Sequence, residues 1–400
     1  MIPLLSLFYI VAVKVFKKTA PNGKITVYLG KRDFGDHGSY CEPVEGVLLV
    51  DNEYLKGRKV FGQVTTTFRY GREEDEVMGL HFSRQLYLAL EQVLPTKKNE
   101  APSDFQNRLV RKLGTLAHPF TFALPENAPP SVTLQPGSED QGRPLGVEYE
   151  LKLFIAETED EKPHKRNSVS MAIRKLQYAK PSPLAKQPSA LVSKGFMMSS
   201  GKLQLEVTLD KELYFHGDKV SANVTISNYS KKTVKNIKVA VVQNTEVTMV
   251  NGHFHKTISS IESKEGCPIT PGATLSKVYT LLPLASQNKD KRGIALDGML
   301  KEGDTNLASS TLNSTGDAIG IVISYVIRVR LYMGAIGGEL VADVSFKLAN
   351  PEPVPVVPGS QESKAQQEKA RMKKQLSREM STDLIVEDFA RRRQFSEDNE

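Results

Sequence analysis

The residues best placed to do chemistry lie in one connection, Lys291–Thr311, with the sequence KRGIALDGMLKEGDTNLASST. Lys291, Arg292, Asp297, Lys301, Glu302 and Asp304 mix both signs of charge within it. That chemistry is ion pairing rather than catalysis. A carboxylate taken out of water must meet a cation or take up a proton. The stretch is rich in Gly, Asp, Asn and Ser, so it reads as a loop, and a loop this long inside a compact domain is functional or disordered. Two readings stand: a solvated surface loop, or a loop that points Asp297 and Asp304 inward to cations from elsewhere in the chain.

Catalytic signatures are missing. The sequence has no Walker loop, no dinucleotide-binding glycine pattern after a strand, no HExxH and no GxSxG. The seven histidines are scattered, and His253 and His255, either side of Phe254, read as hairpin surface residues. Cys41 and Cys267 lie far apart without ligand spacing, which points to a reducing compartment and away from disulfides or zinc. The expectation is a protein that is not an enzyme and carries no cofactor or metal. A net charge of +7 suits an anionic partner such as a phosphopeptide, an acidic lipid or nucleic acid.

The elements that must position those charges are mostly strands. Four hundred residues imply two domains and a tail. Met1–Val13 is apolar but too short to cross a bilayer as a helix, and it lacks the basic start of a secretory signal; it leads into a first strand, Val11–Phe16. Pro21-Asn22-Gly23 turns the chain into a second strand, Ile25–Leu29. Alternating or β-branched runs follow at Val44–Val50, Val60–Tyr70, Leu86–Leu94, Phe120–Leu124, Val147–Ala156 and Ser170–Tyr178. One helix is expected over Pro102–Leu113, with Phe105, Leu109 and Leu113 on one stripe, Ser103 as cap and Gly114 as stop. The stripe either packs on a sheet alone or also receives a detachable segment. Ala179–Lys194 is rich in Pro, Ser and Lys and reads as a linker. The strand habit then restarts at Leu203–Leu209, Val220–Ser227, Ile237–Val242, Thr245–Val250, Leu275–Leu282, Ile319–Met333 and Glu339–Leu348. The fold class is all-β: two tandem antiparallel β-sandwiches over 11–180 and 199–350, a hinge at 181–198, one short helix, and an extended tail over 351–400. Between two strands, Gly71, Arg72, Glu73, Glu74, Asp75, Glu76, Val77, Met78, Gly79 and Leu80 form an acidic loop with apolar side chains, either a tip that folds back or a probe for a partner.

In order along the chain, KVFKK (14–18), PNGKITVYLGKRDF (21–34), FRYGREE (68–74), HKRNSV (164–169), RKLQYA (174–179), LDGMLKEGDTNLASST (296–311) and EDFARRR (387–393) resemble an arrestin. The resemblance implies two cupped sandwiches, a tail folded back on the first, and binding to an activated, phosphorylated seven-helix receptor. It implies a buried polar core of Asp33, Asp297, Asp304 and the tail's Arg391. It implies that Phe389 docks against Val15, Phe16, Phe105, Leu109 and Leu113, and that Lys17 and Lys18 meet receptor phosphates, with Arg32, Arg111, Lys112 and Lys301 as further basic candidates. Freed, the 71–80 loop presents Val77 and Met78 to the receptor.

Ser170 is read here as standing at the family's core arginine, with Arg174 about 13 Å further along the strand. Three carboxylates then face one arginine, and a low-barrier switch less dependent on receptor phosphorylation is expected. In the tail, LIVED (384–388) is a degenerate clathrin box. Phe389 and Arg393 fit an adaptor pattern that wants an aromatic at Val386. The subtype implied is therefore a visual arrestin of invertebrate type, acting on rhodopsin in the cytoplasm and recruited to the membrane, with a clathrin adaptor role as the alternative. Lys231, Lys232, Lys235 and Lys256 form either a phosphoinositide or inositol phosphate site or a solvated face. Nucleic acid is not an expected partner.

Overall fold

A computed structural model describes residues 13–71, 76, 81–97, 100–197, 201–300, 305–312, 320–335, 337–353 and 384–388, the last segment as backbone only. The first half contains β1 (Val13–Thr19), β2 (Ile25–Leu29), β3 (Asp33–Asp36), β4 (Val44–Val50), β5 (Lys59–Arg69), β6 (Ser83–Leu94), β7 (Ala117–Phe122), β8 (Val132–Leu134), β9 (Gly146–Ala156) and β10 (Ser168–Ala179). The second contains β11 (Ser189–Gly195), β12 (Lys202–Leu209), β13 (Leu213–Phe215), β14 (Val220–Asn228), β15 (Asn236–Val247), β16 (Gly252–Ser263), β17 (Thr274–Leu281), β18 (Ala295–Leu296), β19 (Ile321–Tyr332) and β20 (Glu339–Pro351). The tail adds β21 (Leu384–Asp388). Two α-helices interrupt the strands, α1 (Asn52–Leu55) and α2 (Asp104–Leu113).

Each half is a two-layer sandwich. The outer layers are β21-β1-β2-β4-β7 in the first half and β11-β12-β14-β17 in the second. The other two layers run together as one sheet, β16-β15-β19-β20-β10-β9-β5-β6, because β20 pairs in parallel with β10 at Tyr178↔Asn350 and Ala179↔Pro351. A second joint is antiparallel, between β8 and β18, at Leu134↔Ala295 and Thr133↔Leu296. The period-two alternation of strands such as β12 (KLQLEVTL) puts Leu203, Leu205, Val207 and Leu209 into the core and leaves Glu206 outside. One buried apolar cluster runs through both halves, from Ile25 and Phe122 to Tyr214 and Phe346.

The hairpin at Pro21–Gly23 and the helix stop at Gly114 are where the sequence put them. Two segments differ. Ser189–Gly195, expected as linker, is an edge strand paired to β12 along its whole length. Its alternation is hidden by Ser and Lys, because only one face is covered. Ile237–Val242 and Thr245–Val250, read as two strands, are one strand, β15, followed by a 3-10 turn. Within β15, the buried Gln243 is satisfied by the Ala295 main chain and by the Tyr325 hydroxyl.

Candidate functional site: a charged seam and a docked tail

The seam between the halves forms where β3 lies parallel to β10 with Asp33 opposite Arg174. Arg174 grips the Asp33 carboxylate in a two-pronged ion pair, Nε and one terminal nitrogen each 2.7 Å from an oxygen. Its remaining nitrogen donates to the main-chain carbonyls of Asp297 and Gly298 at 3.3 and 3.0 Å, tying the first half to the 291–311 loop. Gly298 makes room for this: a Cβ there would stand 2.8 Å from Ser131 Cβ and 3.2 Å from Arg174 Cδ, at a φ of +40°.

This corrects the reading of Ser170. Ser170 lies opposite Lys152 on β9, four residues before Arg174 on the same face. Strand register, and not position in the motif, decides which β10 side chain meets Asp33. The cation expected to be missing is present as Arg174, so a low-barrier switch less dependent on receptor phosphorylation is no longer expected. Nor is Asp33 withdrawn from water, since its side chain is 40% exposed.

Asp297 does point inward, at 7% side-chain exposure. Its partners differ from the cations expected. Ser309 donates its amide at 2.8 Å and its hydroxyl at 3.0 Å, Asn350 Nδ2 donates at 2.8 Å, and His216 Nε2 stands 3.6 Å away. Among the described residues no Lys or Arg reaches this carboxylate. Neutral donors converging on an anion satisfy it as a capped helix end does. The same His216 nitrogen lies 3.2 Å from Ser309 Oγ, so Asp, His and Ser do not form a relay chain. Sequence reasoning missed His216, Ser309 and Asn350, which are 41 or more residues from each other and stand among ordinary polar positions. Asp304, Lys301 and Arg391 fall outside the described residues.

Two further ionic contacts went unread. Lys175, the next residue on β10, is fully buried and bonds Asp36 at 2.8 Å and the carbonyls of Glu126 and Ala128 at 3.1 and 2.6 Å, so the charge is completely partnered. Near the exit of β20, His37 lies between Glu42 and Glu352, 3.7 and 3.3 Å from their oxygens, stacked between the rings of Tyr40 and Tyr178. Burial pushes the Glu42 carboxyl up, but the Lys31 ammonium, the Gly35 amide and His37 together hold it below its ordinary value. Lys180, 2.9 Å away, and then His37 hold Glu352 low in the same way, against burial.

The tail-docking edge is β1. β21 adds to it in parallel, with Val15 opposite Val386, Phe16 opposite Glu387 and Lys17 opposite Asp388. On the outer face of this sheet, Val15, Tyr28, Val47, Leu109 and Ala117 form a buried cluster, with Phe105 and Leu113 packed against it. α2 holds that stripe in place through a reciprocal cap, Ser103 Oγ accepting from the Gln106 amide and Gln106 Oε1 from the Ser103 amide. Gly30 leaves space for Phe105, whose ring would be 2.9 Å from a Cβ. Phe16 does not join the group. Neighbouring strand residues face opposite ways, and Phe16 packs into the main core, with the Arg32 guanidinium 5.9 Å from its ring centre. Arg32 is itself buried and donates to the Ala172 carbonyl at 2.7 Å, so it is no open phosphate receptor in this conformation. Lys17 and Lys18 are half-buried on β1, and Arg111 and Lys112 are exposed on α2. Phe389 and Arg393 fall outside the described residues.

In the acidic loop, Arg72–Asp75 and Val77–Leu80 also lie outside them. Glu76 ties the loop base, bonded to Arg69 at 2.7 Å, to His81 at 3.1 Å and to the Phe82 amide at 3.1 Å. His81 leads Arg69 and the amide in pulling its carboxyl down to about 2, against burial.

The four lysines of the second half do not form one patch. Lys231, Lys232 and Lys235 precede β15, whereas Lys256 lies opposite Gln243 and beside Gly293. Eight residues of strand separate the two levels, about 26 Å at 3.3 Å per residue.

The chain matches "Arrestin (or S-antigen), N-terminal domain" over residues 25–179 and "Arrestin (or S-antigen), C-terminal domain" over residues 199–353. It is 56% identical to an "Arrestin homolog" of Locusta migratoria, over 98% of this chain and 99% of that one. It is 54% identical to "Phosrestin-1" of Drosophila melanogaster, over 96% and 98%. To "Beta-arrestin-2" of Homo sapiens it is 45% identical, over 95% of each.

Proposed function

Because this chain belongs to the arrestin family, we propose that it binds an activated, phosphorylated seven-helix receptor, rhodopsin foremost, at the cytoplasmic face of the membrane, and ends signalling by blocking G-protein coupling. The greater identity to the insect proteins than to the human β-arrestin favours this over a clathrin adaptor role. The observation that carries the reading is β21 on β1, which brings Glu387 and Asp388 to the level of Phe16 and Lys17. An acidic tail segment occupies the edge where receptor phosphates arrive. Each phosphate brings about −1.5 to −2 charge and three acceptor oxygens, so phosphorylated segments are drawn to the Lys17 and Lys18 ammoniums and compete with the tail strand for that edge.

Release of the tail uncovers the Val15–Leu109 stripe. Phosphate reaching the seam then competes with Asp33 for Arg174. Arg174 also holds the Asp297 and Gly298 carbonyls, so drawing it away loosens the 291–311 loop, and the halves turn on their joints. The 71–80 loop then meets the receptor. Lys231, Lys232 and Lys235 remain together for an anionic lipid headgroup, with Lys256 outside that group.

Co-sedimentation with light-activated receptor membranes, before and after phosphatase, tests the reading. Wild-type protein is expected to lose most binding after phosphatase, and Arg174→Glu to keep it. Equal sedimentation of the wild type with dark, active and dephosphorylated membranes would rule the proposal out.

A further inference from the structure

Asn350 stands where three parts of the molecule meet. Its Nδ2 donates to Asp297 Oδ2 at 2.8 Å, to Ser309 Oγ at 3.1 Å and to the Gln177 carbonyl at 3.4 Å. Its Oδ1 accepts from Asn306 Nδ2 at 3.4 Å. Asp297, Asn306 and Ser309 all belong to the charged 291–311 loop. Gln177 belongs to β10, one residue before the Tyr178↔Asn350 pair that joins the two halves. The residue is buried, so water does not readily replace a lost partner.

An amide nitrogen has two hydrogens and here faces three acceptors. The closest and only anionic one, Asp297, takes the strongest share, and the Gln177 carbonyl is left with the longest bond. If the loop withdraws Asp297 and Asn306, Asn350 loses partners on both of its polar atoms at once. A buried amide cannot leave them unpaired without cost, so the side chain must turn, and the strand joint it is attached to changes with it. We infer that Asn350 is the positioning residue that couples the Asp297 loop to the β10–β20 joint, and so sets the relative orientation of the two halves. The inference rests on the proposed receptor role only for the stimulus, a phosphorylated segment.

The test uses the full chain with two pairs of spin labels, one across the halves and one from β1 to β21, and a synthetic multiply phosphorylated peptide as probe. Asn350→Ala is expected to shift the resting distance between the halves toward the peptide-bound value while β21 stays on β1. Asp343→Asn, a change on β20 at its exposed pair with Arg328 and away from the joint, is expected to keep the wild-type resting distance. Asn350→Ser serves if the alanine variant does not fold. An unchanged resting distance in the Asn350 variant, an equal shift in Asp343→Asn, or loss of β21 along with the shift would overturn the inference. A wild-type protein in which the peptide moves neither distance would count against the receptor reading, while the resting distances would still decide the role of Asn350.

Discussion

Arg174 shows what a single register position decides. The motif HKRNSVS drew the reading to Ser170, yet the side chain opposite Asp33 is the one that closes the seam. Strand pairing between residues 141 apart is invisible to local pattern. The loop left the direction of Asp297 open, because a connection mixing both charges can equally stay in water; the structure takes the inward alternative. Its actual partners, Ser309, Asn350 and His216, carry no sequence signature. Asp33→Asn is expected to destabilise the protein by about 1–3 kcal/mol, between the values for exposed and for buried pairs because Asp33 is part-exposed, and to raise binding to dephosphorylated active receptor. Thermal unfolding and sedimentation measure the two effects. At Glu76 the sign of the pH dependence is fixed by a folded value of about 2 against an ordinary 4.5. A carboxyl depressed by folding stabilises in full above the unfolded value and loses that contribution as pH falls through the folded one. The Phe82 amide resonance is therefore expected to hold steady from neutral pH to about 4.5 and to titrate toward 2; a midpoint at the ordinary value would exclude the Arg69–Glu76–His81 tie.

At the scale of elements, α2 was fully legible: its stripe, cap and stop are all local signals, and each is where the pattern puts it. β11 was not, because an edge strand of Ser and Lys looks like a linker until its partner is known. Phe16, expected beside Val15 in the contact with Phe389, faces the main core instead, as strand parity requires. Leu109 is 2% exposed at the centre of the cluster that joins α2 to β1. Leu109→Ala is expected to cost about 2–5 kcal/mol and to release β21 at lower phosphopeptide concentration, read by the label pair between β1 and β21. Removal of residues 384–388 is expected to leave the fold intact, since β1 keeps its pairing to β2, and to raise protection-sensitive hydrogen exchange at the freed edge of β1. Unchanged exchange there would mean the tail does not occupy that edge in solution.

For the whole molecule, two sandwiches in tandem were readable from strand count and spacing, but not that they share a layer. The run β16-β15-β19-β20-β10-β9-β5-β6 and the unbroken apolar cluster make the halves one thermodynamic unit. A single cooperative calorimetric transition is expected; two resolved transitions would mean that the joints at Tyr178↔Asn350 and Leu134↔Ala295 carry little stability. The chain also leaves the second half at Glu352, where Lys180 and His37 pin it beside the start of the interdomain connection. The tail therefore sets out from a fixed anchorage, and its return to β1 is a unimolecular event. Diluting the protein cannot unlatch it by mass action, so the threshold a phosphorylated segment must exceed does not depend on how many copies of this chain surround it.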